Sequence, residues 1–188
     1  MIQTSNSGLI GRTKVLIVDH EYHARKTIRA LLLAMGCSRI HEAGYGGTGL
    51  DAVRAIAPDV VLLDWDMPGI DGAEFVRRLR SDGGCAHANV PIIMLTGHRE
   101  HLRVLQAVRH GVHEFLLKPV SSTALLTRIV GVLATPRPMI RRGNYYGPEP
   151  RKYSTYKPEF DQGIGRHDAD PATNGSPSDA PDTMIFVD

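Results

Sequence analysis

Cysteine is nearly absent from this 188-residue chain. Cys37 and Cys85 cannot make a disulfide framework and read as reduced thiols in loops. No apolar run approaches the length that crosses a bilayer, and no basic segment followed by an apolar stretch opens the chain. These absences lead us to expect a soluble, cytoplasmic protein with no membrane segment. A strong charge of one sign is also lacking. With 22 Lys and Arg against 20 Asp and Glu, the formal charge is +2, which excludes a strongly polyanion-seeking protein. Hydrophobic residues make up 42% of the chain, enough for the core of one ordinary domain with an extension.

The apolar residues fall into short runs. Val15-Leu-Ile-Val-Asp19, Val60-Val-Leu-Leu-Asp64 and Phe115-Leu-Leu-Lys118 each end in a charged group, and Ile92-Ile-Met-Leu95 ends in the hydroxyl of Thr96. Continuous runs of this length, separated by helix-length segments, read as strands buried on both faces of a parallel sheet. The ligand site of such a sheet lies beyond the carboxyl ends of its strands, so two carboxylates, an ammonium and a hydroxyl should converge in one crevice. That is the chemistry of a metal-assisted phosphate site.

Helices are expected at about 20 to 35, 47 to 56, from a cap at Asp71, at about 98 to 109, and at about 121 to 134 from a cap at Ser121 or Ser122. Gly36 stops the first of them and Gly111 the fourth. Arg77, Arg78 and Arg80 are expected on the exposed side of the third. Arg39-Ile-His-Glu-Ala43 supplies a short, more polar edge strand. Residues 1–11 read as a flexible arm. From Thr135 the composition turns to Pro, Gly, Asn, Asp and Ser, so 135–188 reads as an extended, disordered tail with no output domain.

The ordered motifs resemble those of the receiver domain of bacterial two-component response regulators, of the chemotaxis-regulator type. They are Val15 to Asp19 with Glu21; Leu63-Asp64-Trp-Asp66-Met-Pro68-Gly-Ile-Asp71-Gly72; Pro91 to Gly97; and Phe115 to Pro119. The resemblance covers residues 12–134. It implies an α/β, flavodoxin-like, doubly wound sheet of five parallel strands in the order 2-1-3-4-5 with five helices. It further implies a stand-alone phosphoacceptor, not an enzyme acting on other substrates, that catalyses its own phosphorylation and dephosphorylation.

Asp64 is the candidate acceptor, because a carboxylate can take a phosphoryl group directly once charge on the transferring oxygens is neutralised. Magnesium does this in the resembled family. Asp19 and Asp64 would be ligands, with the backbone carbonyl of Asp66 a third by resemblance and Glu21 as a further candidate. Lys118 and Thr96 would each meet a phosphoryl oxygen. The resemblance also makes Thr96 and Phe115 a switch pair and Lys118-Pro119 a cis step. Its implied partners are a sensor histidine kinase or histidine phosphotransfer protein, and a downstream protein that reads the fourth helix, fifth strand and fifth helix; a homodimer remains open.

His20 departs from the family, which usually has two adjacent acids at this point. Imidazole is a poor magnesium ligand. Either Glu21 substitutes, or Asp19 and water carry the metal, or cationic His20 replaces part of the metal's charge; the remaining alternative is a degenerate receiver working without phosphorylation.

Asp64-Trp-Asp66 also fits the Asp-x-Asp signature of haloacid-dehalogenase-like phosphatases, with Asp66 as general acid, but it falls on the third strand and not near the chain start. Gly44-Tyr-Gly46-Gly-Thr-Gly49 matches a dinucleotide fingerprint only formally and reads better as a turn and helix start. His98, His101, His110 and His113 read as a solvated face. The basic and aromatic stretch from Arg141 to Tyr156 argues for a docking or solubilising tail more than for nucleic-acid binding.

Overall fold

The computed structural model describes residues 3–81, 86–97, 110–143 and 145–150. The strands are β1 (Lys14–Val18), β2 (Arg39–Ala43), β3 (Val60–Asp64), β4 (Ile92–Thr96) and β5 (Glu114–Leu117), and they form one parallel sheet in the order β2-β1-β3-β4-β5. The helices described around it are α1 (Gln3–Arg12), α2 (Tyr22–Ala34), α3 (Gly46–Ile56), α4 (Gly72–Ser81) and α5 (Ser122–Ala134). None of them is long and apolar enough to cross a membrane.

The strands are apolar along their whole length because both faces of the sheet are covered. Leu16, Val18, Val61, Leu63, Ile92 and Met94 pack with Leu50 and Val53 of α3 and Phe75, Val76 and Leu79 of α4. Their neighbours in sequence, Val15, Ile17, Val60, Leu62, Ile93 and Leu95, pack on the other side with Ile28 and Leu32 of α2 and Leu125 and Ile129 of α5. The period-two alternation of a strand thus divides one apolar run between two cores. The polar strand is β2, at the sheet edge as expected. Helix ends follow the expected chemistry: Gly36 adopts φ +88° after α2, Asp71 Oδ1 accepts from the Glu74 N–H at 2.7 Å, and Ser121 Oγ accepts from the Ala124 N–H at 3.2 Å.

The expected boundaries need correction at both ends. Where a flexible arm was expected over 1–11, α1 packs against α5 and buries Ile10 in the core beneath α2 and α5. Gly8, Gly11 and the small polar residues give this segment little helix propensity of its own, so burial of Ile10 and not local preference sets it. Nor does the fold end near Ala134. An antiparallel hairpin, β6 (Met139–Arg142) and β7 (Tyr145–Pro148), follows, and the compact unit runs to Glu149. The helix expected at 98 to 109, Cys85 and the tail from 151 onward lie outside the described residues.

The hairpin explains two further corrections. Arg80, expected on an exposed face, is 5% exposed, and its guanidinium donates to the carbonyls of Ala88, Val90 and Gly111. Burial lowers its pKa to about 10, so it stays charged. His113, expected on a solvated face, is buried, and its Nδ1 accepts from the Ile92 N–H at 3.3 Å. Over both lies the hairpin: Tyr146 Oη donates to Asn89 Oδ1 at 2.6 Å, Arg137 donates to the His113 carbonyl, and Gly147 meets Gly111 backbone to backbone.

Candidate functional site

Parallel register brings the carboxyl ends of β1, β3, β4 and β5 side by side, and backbone hydrogen bonds carry that order past the last paired residues. The Trp65 N–H donates to the Leu95 carbonyl at 2.9 Å, and the Lys118 N–H donates to the Thr96 carbonyl at 2.8 Å. Asp19, Asp64 and Lys118 meet there. Lys118 Nζ donates to Asp19 Oδ2 and to Asp64 Oδ1, each at 2.8 Å. Both carboxylates are buried, Asp19 at 0% and Asp64 at 2% exposure, while the lysine reaches them from the half-open rim.

Two buried acids without a cation between them would be costly, and the ammonium offsets that cost. Burial pushes the Asp64 carboxyl up, Lys118 pulls it back, and Asp19 pushes it up again, leaving it above the ordinary carboxylate value. For Lys118 burial works downward, but its hydrogen bonds to Asp19 and Asp64 outweigh it, so the ammonium is held more tightly than usual.

His20 closes the remaining side, its Nδ1 3.2 Å from Asp64 Oδ2. Asp19, His20 and Asp64 each present a ligand atom within 4.8 Å of the others. Among the described residues Glu21 is outside this group. Its side chain is exposed, and it meets the site through its backbone N–H, which donates to Asp19 Oδ1 at 2.8 Å. Asp66 is exposed on the loop after β3. The Thr96 hydroxyl group lies on a buried residue at the end of β4, and Phe115 is half-buried on β5 against the α3 and α4 core. The Lys118-Pro119 bond is cis.

Three supports escaped the sequence reading. Arg25, in the first turn of α2, turns back and donates to the Asp19 carbonyl at 2.7 Å, holding the β1–α2 loop; its place one turn into the helix after an acidic strand end is the only signal it gives. Gly72 lies so close to the end of β3 that a Cβ would come within 2.7 Å of the Asp64 carbonyl. Gly49, in the formal dinucleotide motif, allows α3 to approach the sheet, since a Cβ would lie 2.8 Å from Val18 Cγ1 and 2.9 Å from Phe75 Cε2. Helix packing therefore accounts for that glycine.

As for a cation, the pair of buried carboxylates suits a divalent ion, whereas the imidazole in third place suits magnesium poorly.

A doubly wound parallel sheet with paired acids and a lysine at its carboxyl end defines an α/β protein whose site sits at the switch point of the sheet. The profile of the response regulator receiver domain matches residues 15–130, and the chain belongs to that family. It is 31% identical over 116 residues to the chemotaxis protein CheY of Pseudomonas aeruginosa, covering 62% of this chain and 92% of that one. To CheY-3 of Vibrio cholerae it is 29% identical over 116 residues, covering 62% and 88%. Among solved structures, a putative response regulator from Chloroflexus aurantiacus superposes with a TM-score of 0.61 at 26% identity, covering 65% of this chain and 98% of that one. The protein is a receiver of two-component signalling, and the dehalogenase-type reading of Asp64-Trp-Asp66 gives way to it.

Proposed function

We propose that Asp64 accepts a phosphoryl group from a phosphohistidine of a sensor kinase or histidine phosphotransfer protein, and that the aspartyl phosphate is the signal. The observation that carries this reading is the contact of Lys118 Nζ with both Asp64 and Asp19 at 2.8 Å, at the carboxyl end of a sheet whose strands are otherwise largely apolar. A carboxylate oxygen of Asp64 attacks phosphorus as the phosphorus–nitrogen bond breaks, and the departing imidazole takes up a proton. Lys118 is placed to follow the incoming charge, and the Thr96 hydroxyl to bond a second phosphoryl oxygen. Asp19, Asp64 and the backbone carbonyl of Asp66 would hold the divalent cation of the family, which when bound supplies charge neutralisation for the transferring oxygens.

Thr96 on β4 and Phe115 on β5 sit on adjacent strands, their neighbours paired in register as Thr96 with Leu117 and Met94 with Phe115. Engagement of Thr96 would therefore be felt by Phe115, and the face formed by β5 and α5 would be read by a downstream protein or a second copy of the chain. The test is mass spectrometry of the protein after incubation with acetyl phosphate and a divalent cation. One hydroxylamine-sensitive phosphoryl group is expected on the wild type and none on Asp64→Asn. Equal labelling of the variant would overturn the assignment.

A further inference from the structure

The crevice differs from a plain carboxylate cluster in one position, and that position has a direct contact. His20 Nδ1 faces Asp64 Oδ2 at 3.2 Å, while Lys118 occupies the opposite oxygen, Oδ1, and Asp19 Oδ2. The second Asp19 oxygen accepts from the Glu21 N–H. The ring is therefore the group that shares the outward side of Asp64, at the one rim where its own side chain is still 37% exposed and can adjust without unpacking the core. Among the described residues no third carboxylate joins the group: the adjacent acid, Glu21, is exposed and stands outside it.

Magnesium favours oxygen donors and gives up its water reluctantly, whereas imidazole is a good ligand for the later first-row divalent ions. Two carboxylates and one imidazole make a mixed donor set. We infer that this receiver selects a borderline divalent ion of the manganese-to-zinc series over magnesium, with His20 as the residue that sets the choice. The inference rests on the reading of Asp64 as the centre of the phosphoacceptor site, and it assigns a different class of ion to that site. Its competitor is a protonated His20 that itself serves as the cation beside Asp64, in which case the ring would repel an incoming ion.

Trp65 adjoins Asp64 and is the chain's single tryptophan, so its fluorescence reports the site. The full-length protein, His20→Ala and His20→Asp are each titrated with Mg2+ and with Co2+, the latter also followed by its visible absorption, which changes when nitrogen joins the ligand set. The wild type should bind Co2+ more tightly than Mg2+. His20→Ala should weaken Co2+ by about tenfold or more while leaving Mg2+ within about twofold, as expected when one direct ligand is lost. His20→Asp should tighten Mg2+ and weaken Co2+. Cobalt affinity and spectrum that ignore the loss of His20, tighter cobalt binding in His20→Ala, or no saturable binding of either ion would overturn the inference. Phosphorylation of Asp64 is read separately by mass. An unlabelled Asp64 with His20-dependent cobalt binding would sink the phosphoacceptor reading alone, and a labelled Asp64 with His20-independent cobalt binding would sink the ion selectivity alone.

Discussion

At Asp64 the requirements of fold and chemistry oppose each other. The carboxylate proposed to meet a phosphoryl donor is held at 2% exposure beside a second acid, and its raised pKa records the cost of keeping it charged there. A carboxyl group raised in the folded state favours folding at low pH and loses that contribution as pH rises through its folded value, so at neutral pH the charge opposes the fold. Asp64→Asn, which keeps the size and one acceptor oxygen for Lys118, should therefore unfold at or above the wild-type midpoint in a thermal melt while losing all phosphoacceptor capacity. A clearly lower midpoint would mean that the pairing with Lys118 outweighs the burial. Gly49 supplies a contrasting case, because its role is spatial. Gly49→Ala would press against Val18 and Phe75, and the cost expected for overpacking is about 1–3 kcal/mol in chemical denaturation. Improved stability in that variant, as ordinary helix propensity would give, would show that α3 can back away from the sheet.

The central strands and the described helices between them are legible in the sequence, since a parallel sheet covered on both faces leaves near-continuous apolar runs whose ends can be read to within a residue. The convergence of Asp19, Asp64 and Lys118 is legible for the same reason: each ends a strand. The contact between His20 and Asp64 is not, because a loop residue's ring direction depends on the neighbouring strand and not on its own spacing. Nor are α1 and the hairpin of β6 and β7, whose residues look like arm and tail until Ile10 and Gly147 find partners far along the chain. Near the base of the hairpin a titratable group is buried. His113 is pushed down to about 3, first by burial and then by the charges of Arg80 and Arg137. A histidine depressed in the folded state contributes stability that is fully present above its unfolded value and is lost as pH falls toward the folded one. Between about pH 6.5 and 3 the protein should lose up to about 1.4 kcal/mol per pH unit through this residue. His113→Asn, whose amide oxygen can still accept from the Ile92 N–H, should flatten that slope by about one proton in urea melts taken across the window. An unchanged slope would place the acid sensitivity elsewhere.

For the molecule as a whole, the question is where the receiver ends. The family's profile stops at residue 130, yet the compact unit continues to Glu149, and the added segment covers polar groups that the sheet alone would leave open. Arg137 lies 3.8 Å from Glu114 and donates to the Glu149 carbonyl at 3.1 Å, closing the base of the hairpin. Tyr146 ties the hairpin to Asn89, Arg141 stacks on the Tyr146 ring at 4.8 Å, and the backbone of Gly147 seats against the Gly111 turn whose carbonyl receives Arg80. All of this lies at the amino ends of β4 and β5, the opposite end of the sheet from Asp64, so the hairpin bears on stability and not on the acceptor chemistry. A chain cut after Glu149 should melt within a few degrees of the full-length protein and accept a phosphoryl group at Asp64 as well as it does. A chain cut after Ala134 should still accept the group but melt clearly lower, because Arg80 and His113 lose their cover and each disturbed buried polar group costs about 1–3 kcal/mol. Equal melting of the two shortened chains would show that the hairpin merely rests on the surface, and the domain would then end with α5.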